Sequence, residues 1–253
     1  MRSNIPATTV LGVGVAVLDV DAAIAEVRKL LDGPQPAVVA YANAHALNVA
    51  SRNQEFLRVL CDADLVLNDG SGLAIAARLR GQTFPANLNG TDFTPKVLLA
   101  AVDSGASVFL LGGAPGVAQA AAERLRADIP GLAIAGCAHG YFGDTELPGL
   151  LAEIRASNAR VLLVGMGNPQ QELWLAEHLA DTGAVLGVAV GAFLDFAAQR
   201  VPRAPVWMRS AGIEWMYRLA REPRRLFGRY VGGNPLFLQR VVREQLAERV
   251  RLR

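Results

Sequence analysis

Short runs of consecutive apolar residues recur along most of the chain, at Ala37–Ala42, Leu65–Leu67, Val108–Leu111, Leu132–Ala135, Val161–Val164 and Val185–Val190. Between them lie stretches of helical spacing at Ala44–Arg52, Gly72–Leu79, Thr94–Val102, Val117–Ala127, Leu147–Ser157 and Gln170–Ala180. Uninterrupted apolar strands alternating with helices predict a parallel sheet covered on both faces. Right-handed crossovers then gather the loops after each strand at one edge, where ligands of such folds bind. Near residue 200 the rhythm changes. Aromatic residues (Trp207, Trp215, Tyr217, Phe227, Tyr230, Phe237) interleave with arginines, and Pro205, Pro223 and the Gly-Gly-Asn-Pro at 232–235 cut the segment into short helices. The expected architecture is a Rossmann-like α/β domain over residues 1–199, with a mostly parallel sheet. Residues 200–253 are expected to form a helical, Arg- and aromatic-rich appendage, not a second globular domain.

Composition agrees with a buried core. Of 253 residues, 52% are hydrophobic and 19% charged, which excludes disorder and coiled coil. Two cysteines, Cys61 and Cys137, are too few for a disulfide scaffold. Three histidines, His45, His139 and His178, stand too far apart in sequence to suggest a metal cage; His45 reads as a helix-surface or core residue. The N-terminal stretch lacks a basic n-region, and Asp19 and Asp21 follow its apolar run too soon for a signal peptide. The longest apolar stretch, Val97 to Ala122, contains Asp103 and several glycines and parses better as helix, strand, turn and helix than as a membrane span.

Charge changes the picture of the last fifth of the chain. The net charge of +2 is a balance of −7 over residues 1–199 and +9 over residues 200–253. Such a split points to an anionic partner for the tail: a membrane surface, a nucleic acid or a phosphate ligand.

Candidate chemistry sits at the strand ends. Gly112-Gly113-Ala-Pro-Gly116 follows a strand and opens a helix, which suits either a structural turn or a phosphate cradle. The next strand, LAIAGCAHG, ends without the acid that would hold a dinucleotide ribose. In Gly165-Met-Gly-Asn-Pro-Gln-Gln-Glu172, Asn168 is expected as N-cap with Pro169 in the first turn. Capping does not account for Gln171, which reads as functional. Asp69 follows LVLN and precedes Gly-Ser-Gly, so it is either a helix cap or a general base. Asn43 and Asp195 hold equivalent strand-end positions.

Together these segments resemble the WecG/TagA/CpsF glycosyltransferases, glycosyltransferase family 26. The runs that carry the resemblance are GMGNPQQELW, GVAVGAFLDFAAQRVPRAPVW and EWMYRLAREPRRLFGRY, then NAHALNVA, LVLNDGSGL, NGTDF and VFLLGGAPGVAQ. The resemblance implies inverting, metal-independent transfer of a sugar from a UDP-sugar to a polyprenyl-diphosphate-linked sugar, with no cofactor. It also implies a peripheral position at the cytoplasmic face of the inner membrane, with an anionic membrane surface as partner, and leaves a homo-oligomer open. By position it makes Asp69 the catalytic base. It places Tyr41, Asn43, Asn87 and Gln171 around the acceptor and sugar pocket. It assigns nucleotide binding to Gly112, Gly113, Tyr141, Gly165, Asn168, Asp195, Arg218 and Arg225. Two positions depart from the family pattern: Tyr41 stands where many members have Thr, and Asn87 where many have Arg. With the wording NLNGTDF, these departures lean toward the exopolysaccharide branch and UDP-glucose; the alternative is transfer of N-acetylmannosamine or its uronic acid.

Two other classes compete. A nucleotide-linked Rossmann oxidoreductase would want the ribose acid and a third glycine in GMGNPQ, and both are missing. A nucleic-acid binder would use the basic, aromatic tail, but an interfacial helix explains the same residues, so no nucleic-acid partner is expected.

Overall fold

The structure, a computed structural model, describes residues 5–251, apart from the side chains at 210, 225, 248, 249 and 251. It opens with a hairpin of β1 (Ala7–Val10) and β2 (Val13–Ala16), joined by Leu11 and Gly12, both at positive φ. That is the geometry of a primed two-residue turn, built without the usual Asn-Gly. The chain continues through α1 (Val20–Asp32), β3 (Ala37–Ala42), α2 (Ala44–Ala50), α3 (Gln54–Asp62), β4 (Leu65–Asn68), α4 (Ser71–Leu79) and α5 (Gly90–Asp103). The second half of the sheet domain comprises β5 (Val108–Gly112), α6 (Val117–Asp128), β6 (Ile134–Ala138), α7 (Leu147–Ala156), β7 (Val161–Gly165), α8 (Gln170–Thr182), β8 (Leu186–Ala189) and α9 (Phe193–Ala197). Then come α10 (Val206–Ser210), α11 (Glu214–Arg221), α12 (Pro223–Phe227), a π-helical turn at Gly228–Gly232, and α13 (Gly233–Arg251).

Strands β3 to β8 form one parallel sheet in the order β4-β3-β8-β7-β5-β6. Because side chains alternate across a strand, Val108 and Leu110 pack on one face with α1, α5, α6 and α9, whereas Phe109 and Leu111 pack on the other with α7 and α8. At the β3–β4 end, Ala40, Ala42 and Val66 meet the hairpin valines Val10, Val13 and Val15 and helices α2, α3 and α4. Both faces are covered, so the strands read as continuous apolar runs. The α/β expectation holds. The hairpin, α1, α3 and α9 add to the expected elements.

The C-terminal segment is not uniformly peripheral. Helix α11 buries no residue, but α13 inserts Phe237 and Val241, both 0% exposed, into the cluster beneath α2 and α4. Polar ties accompany this packing. Glu244 pairs with Arg80 at 2.6 Å and accepts from the Leu11 N–H, while Arg240 donates to Asn48. Residues 237–244 of α13 are therefore part of the core, and residues of the preceding segment border the carboxyl edge of β3 and β4.

Candidate active site

Parallel pairing of β3 with β4 sets Ala42 opposite Asn68, so the next residues, Asn43 and Asp69, leave the sheet side by side. The Asp69 N–H donates to the Ala42 carbonyl at 2.8 Å. Asn43 uses both ends of its amide: Oδ1 accepts from the Ala46 N–H as the N-cap of α2, and Nδ2 donates to Asp69 Oδ2 at 3.1 Å. Gly70, at φ +88°, turns the chain, and its N–H donates to Asn87 Oδ1 at 3.1 Å. Asp69 is not a helix cap. Gly70 holds that place before α4, with no side-chain hydrogen bond.

Asp69 lines a cavity. Burial raises its pKa above the ordinary carboxylate value; the hydrogen bond from Asn43 and the charges of Arg229 and Arg218 pull it back. The result is a carboxylate of raised basicity held ready in one orientation.

The cavity walls come from three parts of the chain. The sheet edge supplies Asn43, His45 and the turn Asp69–Gly72; the loop before α5 and its first turn supply Asn87, Asn89 and Thr91; the C-terminal segment supplies Arg209, Glu214, Trp215, Arg218, Arg229, Tyr230 and Asn234. His45 is thus neither a surface nor a core residue of α2, as its spacing suggested, but part of this wall. Burial and the neighbouring Arg229 lower its pKa to about 4, so it is a neutral imidazole at pH 7.

Arginines fasten the roof. Arg203 pairs with Asp92 at 2.6 Å, Arg209 reaches the same carboxylate at 3.4 Å, and Arg203 lies 3.7 Å from Glu214. Burial alone would raise the pKa of Asp92, but hydrogen bonds from Arg203 and Asn89 outweigh it and keep the group ionised. Arg218 lies over the Phe196 ring at 5.4 Å, a cation–π contact. Its head group borders the cavity. Arg225, expected beside it, has its side chain outside the described residues.

Of the sequence-derived site residues, the cavity therefore unites Asn43, Asp69, Asn87 and Arg218. Tyr41 does not line it. Its ring is buried against Gly90, and burial drives its hydroxyl pKa well above the usual phenol value. Gln171 does not line it either. Buried at the start of α8, it accepts from the Gly167 and Gly191 N–H groups through Oε1 and donates to Glu172 Oε1 through Nε2. It ties the loops after β7 and β8 together. Asn168 is not the N-cap of α8: Pro169 takes that place, and the Asn168 amide donates to Glu172 Oε1. Buried Glu172 is pushed up to about 7 by desolvation, partly offset by those donated hydrogen bonds.

The remaining candidates stand at the other strand ends. A Cβ at Gly112 would fall 2.4 Å from the Gly165 carbonyl oxygen, and one at Gly165 would fall 2.8 Å from that of Gly191. Close approach of the β5, β7 and β8 ends thus requires these glycines. Gly113 accepts from the Gly140 N–H, which brings the loop of Tyr141, 75% exposed, beside the β5 turn. Asp195 lies in α9, just beyond β8. Among the described residues no group of three or more His, Cys, Asp or Glu is placed to hold a metal.

A parallel sheet carrying a positioned carboxylate and a cationic roof at its carboxyl edge is an arrangement suited to group transfer. The comparisons with known proteins narrow this. The sequence profile of the "Glycosyl transferase WecG/TagA/CpsF family" matches residues 8–251, and the chain belongs to that family. It is a glycosyltransferase. A relative from Bacillus spizizenii (strain ATCC 23059 / NRRL B-14472 / W23) is 31% identical over 195 residues, 77% of this chain and 75% of its own length. That relative is an N-acetylglucosaminyldiphosphoundecaprenol N-acetyl-beta-D-mannosaminyltransferase.

Proposed function

We propose that the chain transfers N-acetylmannosamine from its UDP derivative to an N-acetylglucosamine carried on a polyprenyl diphosphate, with inversion at the anomeric carbon. This replaces the lean toward UDP-glucose, because the relative's activity favours the N-acetylmannosamine alternative. The observation that carries the mechanism is the Asn43–Asp69 pair facing Arg218 across one cavity. An acceptor hydroxyl gives its proton to Asp69 as its oxygen bonds to the anomeric carbon. The bond from that carbon to the UDP oxygen breaks on the opposite side, and the leaving diphosphate gathers negative charge. Arg218 and its neighbours on the roof meet that charge. The nucleotide is assigned to the ends of β5, β7 and β8, near Gly112, Gly113, Tyr141, Gly165 and Asp195, and the acceptor to the ends of β3 and β4.

The acceptor's lipid implies work at a membrane. No described helix is long and apolar enough to cross one. The C-terminal segment instead exposes Val206, Trp207 (65%), Met216, Phe227 (60%) and Val231 beside Arg221 and Arg224. Such a surface suits the anionic cytoplasmic face of the inner membrane, each arginine contributing about 1 kcal/mol near it. Because Phe237 and Val241 belong to the core, ending the chain near Val201 would damage the fold. The paired change Trp207→Ser and Phe227→Ser is the cleaner probe of liposome binding.

The function is tested by incubating the protein with UDP-N-acetylmannosamine, UDP-N-acetylglucosamine or UDP-glucose and a short-chain lipid-diphosphate N-acetylglucosamine, and identifying products by mass. An N-acetylhexosamine added only from the first donor is expected. Preferential addition of glucose would overturn the donor assignment.

A further inference from the structure

The cavity is two-sided in its chemistry. Asn43, His45 and Asn87 line it with neutral hydrogen-bonding groups, whereas the C-terminal segment adds the aromatic residues Trp215 and Tyr230 among its charged ones. The two rings lie 5.8 Å apart and tilted by 52°, and the Arg229 guanidinium lies 5.7 Å from the Tyr230 centroid. Core packing does not explain Trp215, since α11 buries none of its residues and Trp215, half-exposed, lines the cavity. A pyranose has the matching duality: an apolar C–H face that stacks on an aromatic ring, and a rim of hydroxyls for neutral donors and acceptors.

We propose that Trp215, braced by Tyr230, is the stacking platform for the acceptor sugar and holds it with its reacting hydroxyl toward Asp69. This rests on the transferase reading and adds a binding determinant to it. The sugar concerned is the acceptor because a general base must touch the hydroxyl it deprotonates, and Asp69 shares this cavity with Trp215. Glu214, next to Trp215 and on the same wall, is placed to accept from a sugar hydroxyl. The C-terminal segment therefore does more than neutralise a diphosphate: it carries one wall of the sugar site.

The test measures calorimetric dissociation constants of two probes, farnesyl-diphosphate-linked N-acetylglucosamine and UDP, for the full chain and for its Trp215→Leu and Trp215→Phe variants. Loss of the ring in Trp215→Leu is expected to weaken the acceptor analogue about tenfold, with UDP changed less than twofold. Trp215→Phe keeps an aromatic face and is expected to recover most of the affinity. A Trp215→Leu variant that binds the acceptor analogue as tightly as the wild type overturns the platform. So does one that loses affinity for both probes by the same factor, since the ring would then only hold the roof in place. Wild-type protein that binds UDP but not the acceptor analogue also refutes it. Wild-type protein that binds neither probe removes the transferase reading itself, and the platform with it.

Discussion

Replacing Gln171 by Leu separates two roles for that residue, because the change keeps the side chain's bulk while removing its hydrogen bonds. In the native protein Oε1 accepts from Gly167 at 3.1 Å and from Gly191 at 3.0 Å, and Nε2 donates to Glu172 at 2.7 Å. Leucine leaves both backbone donors without their partner, and Glu172 Oε1 keeps only its bond from Asn168. Each unsatisfied buried group costs about 1–3 kcal/mol. Gly167 and Gly191 are half-exposed, so water can reach them and the lower end of that range applies to both. The expected loss is about 2–4 kcal/mol in all, read as a lowered urea midpoint by circular dichroism at pH 7. Activity should fall with it, because the tied loops follow Gly165 and lead into Asp195. Gln171→Glu should be destabilised similarly, since a carboxylate cannot donate to Glu172. A Gln171→Leu protein that unfolds like the wild type yet has lost transfer would refute the loop-tie reading. It would return Gln171 to the sugar-contacting role that the family resemblance implies.

Asp69→Asn should lower turnover by about 10²–10⁴-fold while UDP binding is kept. Because burial raises the folded-state pKa of Asp69, its ionised form costs stability at neutral pH, so the variant should melt no lower than the wild type; wild-type turnover sinks the base assignment. Arg218→Ala should cost about 10²–10³-fold in kcat, and wild-type transfer should survive EDTA; loss on chelation that magnesium or manganese restores contradicts a purely cationic roof. Glu172, raised from 4.5 to about 7, binds its proton more tightly folded than unfolded, so its contribution to stability falls as pH rises from about 4.5 to 7 and levels off above, while His45, lowered from 6.5 to about 4, contributes the opposite slope between about 4 and 6.5. The stability of Glu172→Gln relative to the wild type should therefore rise as pH goes from about 4.5 to 7, and a difference that does not change with pH assigns no such titration to Glu172. Phe237→Ala should cost about 3–5 kcal/mol as a core cavity; a melting temperature within a degree of the wild type would show that α13 is not part of the core.

The six strands of the parallel sheet and the sheet domain's helices other than α1, α3 and α9 were legible from apolar runs and their spacing, because a strand buried on both faces has no polar positions to blur it. The strand-end candidates Asn43 and Asp69 were legible for a related reason: parallel crossovers put all such residues at one edge. The hairpin escaped because Leu11 and Gly12 turn the chain without a recognisable turn pair, and the fold supports Leu11 through Glu244, 233 residues away. Sequence spacing could not reveal that Asn43 donates to Asp69, since their contact depends on the register between β3 and β4. Nor could it separate Gln171 from the cavity, or bring His45 into it, because both depend on which way a helix start faces once packed. The tail showed the sharpest division between the two levels. Its charge and aromatic content raised the expectation of an anionic ligand, but Phe237, Arg240 and Glu244 must dock on the core for Trp215, Arg218 and Arg229 to share a cavity with Asp69. That docking is long-range packing, and only the folded chain contains it.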